Sequence, residues 1–208
     1  EPTSAHQDWV SALAAHPNGG GLLLSGCYNN AAYIWDAAGH QMAELSGHTS
    51  AVKGVAWLRA GPSLSSGTLR AATASKDLTV RTWQIGPLPS DGSNATAAAT
   101  SAVCEASLVG HTSAVESLCA NPGGDRLCSG ASDGGLLVWN AGEAPPSPEG
   151  EGGGADGGGG GGGARSSKRS KGAKGGAAGT ARPPPELAPA VNLGEGHAGS
   201  VMALSWPT

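Results

Sequence analysis

Phenylalanine is missing from all 208 residues, and aromatic side chains make up only 4% of them. Any core must rest on aliphatic and small side chains, with six Trp supplying most of the aromatic mass. Charged residues are scarce at 13%, and a net charge of -4 offers no global attraction to nucleic acid, so a phosphate contact has to be local. No apolar run approaches the roughly 20 residues of a membrane-spanning helix. No charged-then-apolar leader opens the sequence, which begins at Glu1 and is expected to be a piece of a longer chain. The four Cys, at 27, 104, 119 and 128, include no C-x-x-C, and no H-E-x-x-H or paired Cys/His metal spacing occurs. No cofactor and no metal are therefore expected. Cys119 and Cys128 fall inside predicted strands, where a free Cys serves as a small buried hydrophobe, and reduced thiols suit an intracellular compartment.

Turn formers are plentiful, with 36 Gly and 14 Pro, and their placement organises the chain. Between Gly110-His111 and Trp139-Asn140 lie three short runs, Ala114–Ala120, Asp125–Ser132 and Leu136–Asn140. They are separated by Asn121-Pro122-Gly123-Gly124 and Asp133-Gly134-Gly135, the punctuation of hairpins. The pattern recurs. Gly47-His48 leads to Trp83-Gln84, His6 leads to Trp35-Asp36, and Gly196-His197 opens another copy. Six residues before each closing Trp stands Asn29, Asp77 or Asp133, and ten before it stands Ser25, Thr73 or Ser129. Each repeat thus offers a His, a hydroxyl, an Asp or Asn, and a Trp: His6, Ser25, Asn29 and Trp35; His48, Thr73, Asp77 and Trp83; His111, Ser129, Asp133 and Trp139.

A Gly-His opening and a Trp-Asp-like close mark the WD repeat, one blade of a β-propeller. The fold expected is all-β: three four-stranded blades plus the first strand of a fourth, a partial propeller. Blade one covers about 6–47, with strands Trp9–Ala15, Leu22–Tyr28, Ala31–Ala37 and Gln41–Ser46. Blade two covers about 48–110, with strands Val52–Leu58, Leu69–Ser75, Thr79–Ile85 and about Glu105–Val109, the last two joined by an extended loop over Gly86–Val103. Blade three covers about 111–196, its fourth strand resuming near Pro189–Leu193, and blade four begins over 197–208. Closed rings take typically 4–8 blades, so this piece leaves sheet edges bare and should be poorly soluble alone.

A segment from 143 to 188 interrupts blade three with Pro clusters, a Gly run and a basic stretch, a composition that reads as disordered. Its basic half carries Arg165, Lys168, Arg169, Lys171, Lys174 and Arg182, six of the chain's 12 Lys and Arg. This is a solvated linker, a nuclear address or an RNA-phosphate contact. Asn94-Ala95-Thr96 matches a glycosylation acceptor, a modification that would require a secretory route.

His, Ser and Asp together suggest a hydrolase triad, and Gly130-Ala131-Ser132-Asp133-Gly134 spells G-x-S-x-G. A nucleophile elbow needs strand, turn and helix, whereas a strand, Leu136–Asn140, is predicted to follow. The set also recurs with a Trp in every repeat, whereas a catalytic site is normally built once. The structural reading is a buried polar chain in which Trp donates to the hydroxyl, the hydroxyl to the His, and the His to the turn carboxylate. Asn29 replaces the acid in blade one, so that blade should be the softest. An enzyme is not expected.

His6-Asp8-Trp9, Gly26-Cys27-Tyr28 and Val52-Lys53-Gly54-Val55-Ala56-Trp57 resemble the start of the propeller in the Ytm-type WD-repeat ribosome-biogenesis proteins. A polar, Lys/Arg-bearing insertion in blade three is similar to that family as well. The family's ubiquitin-like N-terminal domain and later blades are missing from this sequence, and the Gly run is its own. The resemblance implies a scaffold that assembles with pescadillo and the Bop-type WD-repeat protein on the large-subunit precursor. It implies a role in pre-rRNA processing and a place in the nucleus, in the nucleolus and nucleoplasm. Rival readings are a generic WD-repeat adaptor for a ubiquitin ligase or signalling complex, and a direct RNA binder acting through the basic insertion. Ligase adaptors often carry Trp-Asp-x-Arg, and Trp35-Asp36-Ala37-Ala38 lacks the Arg.

Overall fold

The computed structural model describes residues 6–18, 20–59, 67–88, 101–142, 183–195 and 197–206. The sequon at 94–96, the Gly run and the basic residues Arg165, Lys168, Arg169, Lys171, Lys174 and Arg182 lie outside them. Among the described residues there is no helix.

The described residues form thirteen strands in three sheets. The first sheet is an antiparallel meander of β1 (Val10–Ala15), β2 (Leu23–Cys27), β3 (Ala31–Trp35) and β4 (Gln41–Ser46). The second runs β5 (Val52–Leu58), β6 (Leu69–Ser75), β7 (Thr79–Ile85) and β8 (Ala102–Val109), with β12 (Glu186–Leu187) added in parallel along β8. The third pairs β9 (Val115–Ala120), β10 (Arg126–Ala131), β11 (Gly135–Asn140) and β13 (Val191–Glu195).

Alternation along the strands places two apolar seams between the sheets. Leu24, Ile34 and Leu45 of the first sheet meet Val52, Trp57, Trp83 and Ile85 of the second. Leu58, Val80 and Leu108 of the second meet Val115, Leu127, Leu137 and Trp139 of the third. Alanines at 32, 43, 56, 71, 72, 74 and 106 fill both seams, so close approach of the sheets offsets the lack of bulky rings. Glycine matters where a side chain would not fit. A Cβ on Gly54 would come within 2.8 Å of Leu118 across the second seam.

Four expectations are corrected. The strand expected from Glu105 begins at Ala102, because Ile85 and Gln84 extend the ladder to Ala102 and Val103. The last strand of the third sheet is Val191–Glu195 rather than Pro189–Leu193; Pro189 has no N–H to donate. The segment read as disordered to residue 188 includes β12, anchored by the Ser107 N–H donating to the Pro185 carbonyl at 2.8 Å. Finally, 201–206 forms no regular strand. Only its start is seated: the Val201 N–H donates to the Ala131 carbonyl at 3.0 Å, and Ser117 Oγ donates to the Val201 carbonyl at 2.7 Å.

A buried ion pair fixes where the chain leaves the third sheet. Arg70 on β6 is 5% exposed and binds both Glu105 oxygens, its shortest contact 2.6 Å. Its Nη1 donates to the Ala141 carbonyl at 2.8 Å, and Nη2, which also binds Glu105, to the Gly142 carbonyl at 3.4 Å. Charge, donors and burial are all satisfied at once, the condition under which such a pair is stable.

Candidate functional site: the repeated polar chains and the inner-strand face

The His, hydroxyl, acid and Trp groups come together differently in each sheet. In the second sheet the chain is continuous. Trp83 Nε1 donates to Thr73 Oγ1 at 2.8 Å, Thr73 Oγ1 meets His48 Nε2 at 2.7 Å, and His48 Nδ1 meets Asp77 Oδ2 at 2.8 Å. Asp77 also accepts from the Thr49 N–H, the Thr79 N–H and the Thr79 hydroxyl. Burial works to raise the Asp77 carboxyl, but the bonds from His48, Thr79 and Thr49 outweigh it and hold the group far below the ordinary carboxylate range.

In the third sheet Trp139 Nε1 donates to Ser129 Oγ at 2.8 Å and Ser129 Oγ meets His111 Nε2 at 2.6 Å. Asp133, however, accepts from the Thr112 hydroxyl at 2.6 Å and the Gly135 N–H at 3.0 Å. Among the described residues no hydrogen bond joins it to His111. Burial therefore dominates and lowers the His111 pKa, with the Asp133 charge opposing weakly. In the first sheet Trp35 Nε1 donates to Ser25 Oγ at 2.7 Å, and Ser25 Oγ meets His6 Nε2 at 3.0 Å. Asn29 turns away: its amide donates to Tyr33 Oη at 2.6 Å and its oxygen accepts from the Ala31 N–H. Trp83 and Trp139 are each 1% exposed at a seam, while Trp35 stays half-buried beside Cys27, Ala31 and Tyr33.

Among the described residues, the expected bond from His to turn carboxylate is thus made in the second sheet, between His48 and Asp77. The third sheet needs the same correction as the first, for a different reason: Thr112 takes the carboxylate that His111 was expected to hold. Ser132 of the G-x-S-x-G string lies in the turn before β11, its hydroxyl 2.6 Å from that of Ser113. Among the described residues no cluster of three or more His, Cys, Asp or Glu is placed to hold a metal ion.

Sequence reasoning missed a second feature. Each innermost strand carries a bulge at the same height, where Ser11, Lys53 or Glu116 is the extra residue. A bulge re-aims the side chain it carries. Ser11 Oγ donates to the Val52 carbonyl across the first seam. Lys53 Nζ donates to Tyr28 Oη at 2.9 Å and lies 3.4 Å from Glu116. The Tyr28 bond, then the Glu116 charge, raises the Lys53 pKa against its burial. Tyr28, Lys53 and Glu116 therefore link all three sheets on one face. Lys76 lies 5.4 Å from the same Tyr28 ring, and Trp9, 77% exposed, meets it edge-on at 6.1 Å. Away from this face, a cavity of about 960 Å³ opens among β1, β5, β6 and β9, lined by His16, Trp57, Arg59 and Cys119 among others.

Three antiparallel four-stranded units, the second extended by β12 and each tied by a Trp to a hydroxyl and a His, agree with the sequence model for the WD domain, G-beta repeat, which matches residues 2–36, 39–84 and 102–140. The chain belongs to the WD40-repeat family. Three curated relatives that the chain resembles share one name. The chain is 37% identical over 136 residues to the ribosome biogenesis protein WDR12 homolog of Drosophila erecta, covering 65% of this chain and 28% of the relative. It is 32% identical over 136 residues to the homolog of Nematostella vectensis, at 65% and 29% coverage. It is 34% identical over 152 residues to that of Arabidopsis thaliana, at 73% and 32%. The chain thus spans less than a third of each of these WD40 proteins. The resemblance read from residues 6–57 and this similarity agree.

Proposed function

We propose that this chain is part of a non-catalytic scaffold for large ribosomal subunit biogenesis. It contributes three blades, about 6–47, 48–110 and 111–196, and the opening of a fourth at 197–208 to a longer propeller. Its partners on that reading are pescadillo and the Bop-type WD-repeat protein within the pre-ribosomal particle, its process is pre-rRNA processing, and its place is the nucleolus and nucleoplasm. One observation carries the proposal. The relatives described above are named for ribosome biogenesis, and 37% identity over 136 residues to one of them extends well beyond the His and Trp common to WD repeats.

The geometry supports a scaffold. The His48, Thr73, Asp77 and Trp83 side chains are spent on one another, and such satisfied networks stiffen a fold. Recognition then falls to loops and faces. Affinity purification of the full-length protein from nuclear extract tests the reading: pescadillo and Bop-type protein are expected in the eluate, and their absence rejects it.

A second reading has its own observation: six of the chain's 12 Lys and Arg lie between 165 and 182. On that reading the segment contacts RNA phosphates, and the salt dependence of binding reports the number of contacts. Deleting 164–182 separates the two readings. Lost RNA crosslinking with retained Bop pulldown supports the RNA contact; unchanged crosslinking rejects it.

A further inference from the structure

Cys119 on β9 and Cys128 on β10 are direct cross-strand partners. Directly opposed residues of antiparallel strands place their side chains on the same face, with Cα atoms about 4.5 or 5.5 Å apart. Both spacings lie inside the roughly 4.4–6.8 Å range that a disulfide bridges. The equivalent pairs are Ala14 with Leu24 in the first sheet and Ala56 with Ala72 in the second. Packing at this position is met by two alanines, so nothing in the fold calls for two thiols. The other cysteines are placed differently. Cys27 is opposite Val10 and its thiol is directed to the Asp8 carbonyl, while Cys104 is opposite Trp83. Cys119 is half-buried and borders the 960 Å³ cavity; Cys128 is buried behind it.

We propose that Cys119 and Cys128 form a reversible dithiol–disulfide site, closed by exchange with a low-molecular-weight disulfide such as oxidised glutathione. The Cys119 thiolate attacks one sulfur of the reagent. The reagent's S–S bond breaks, a mixed disulfide forms on Cys119, and one glutathione thiolate leaves and takes up a proton. Cys128 then loses its proton to solvent and attacks the Cys119 sulfur, expelling the second glutathione. The protein has lost two hydrogens and two electrons, and the reagent has gained them as two thiols. The neighbouring Cys128 thiol holds Cys119 below the ordinary thiol range, whereas Cys128 itself is raised. That asymmetry assigns attack to Cys119 and resolution to Cys128.

The test is to incubate the full-length protein with oxidised glutathione, cap the remaining thiols, and map those of this segment by mass spectrometry. Cleavage after Arg126 separates the two cysteines onto different peptides. In a Cys104→Ser background the expected product is a linked 119–128 pair, reversed by dithiothreitol. Cys119 should be capped at least roughly tenfold faster than Cys27. Cys128→Ala, an alanine as at Ala72, keeps the fold and should leave Cys119 holding glutathione as a stable mixed disulfide. Cys119 and Cys128 both still cappable after excess reagent would overturn the proposal. So would a mixed disulfide that persists on Cys119 in the presence of Cys128.

Discussion

Asp77→Asn and Asp133→Asn make the same change at the same repeat position, and the structure assigns them different costs. Four donors converge on Asp77. His48 Nδ1 and the Thr49 N–H meet Oδ2, and the Thr79 N–H and hydroxyl meet Oδ1. An asparagine places its NH₂ on one side or the other, so two donors lose an acceptor whichever way it turns. The charge that strengthens the rest is lost as well. A buried donor without an acceptor costs roughly 1–3 kcal/mol. Allowing for rotation of the Thr79 hydroxyl and for water at Thr49, the expected loss is about 2 kcal/mol. Asp133 is exposed and accepts from one backbone N–H and one hydroxyl that can reverse its role. Its loss should stay below about 0.5 kcal/mol. Urea unfolding followed by tryptophan fluorescence reads both. With m of about 1–3 kcal/mol/M, Asp77→Asn moves the midpoint by about 1 M. The Asp77 carboxyl is depressed in the fold, so its stabilisation is complete above the unfolded value of about 3.9 and is lost as pH falls below it. Asp77→Asn should remove that acid-labile component. Equal costs at the two positions, or an unchanged acid limb, would refute the assignment.

The other predictions are local. Gly130→Ala places a methyl 2.5 Å from the Val201 side chain; it should cost roughly 1–3 kcal/mol and speed hydrogen exchange at the Val201 amide. Arg70→Ala leaves the partly buried Glu105 without its partner and should cost about 3 kcal/mol, at the low end for a broken buried pair, in the same urea assay. Burial lowers His111, so below the ordinary His value of about 6.5 the unfolded chain takes up the proton first, and stability falls with pH. His111→Gln should flatten the stability profile from about pH 6.5 downward. Hydrogen exchange should find β6 and β7 better protected than β2 and β3, because His48 is bonded to the Asp77 carboxylate where the first sheet carries Asn29; the reverse order contradicts this.

The strands with the clearest alternation and turn signals were legible, and β4 to β7 fall where the sequence places them. Asn-Pro-Gly-Gly and Asp-Gly-Gly mark turns regardless of tertiary context. The start of β8 was not legible, because Ala102 and Val103 follow a polar stretch and become strand only through Gln84 and Ile85. Within the polar chains, the offsets identified each Trp–hydroxyl–His contact, since cross-strand diagonal positions fix them. The last link was hidden, because it depends on whether Thr79, Thr112 or Tyr33 competes for the turn side chain. Lys53 with Glu116, and Arg70 with Glu105, gave no local signal. Their partners lie 63 and 35 residues away, and a single charge in a strand reads as a solvated one. The one available hint was that Arg70 sits inside the run Leu69–Ser75, which otherwise carries only uncharged side chains.

Arg70 holds the carbonyls of Ala141 and Gly142, and two residues along β8 from its partner Glu105, Ser107 holds Pro185. Departure and return of the intervening sequence are pinned to neighbouring points of one scaffold, so its length is decoupled from strand register. Evolution can lengthen, shorten or rewrite that stretch without renegotiating the third sheet, and an experimenter can splice a reporter or protease site there on the same terms.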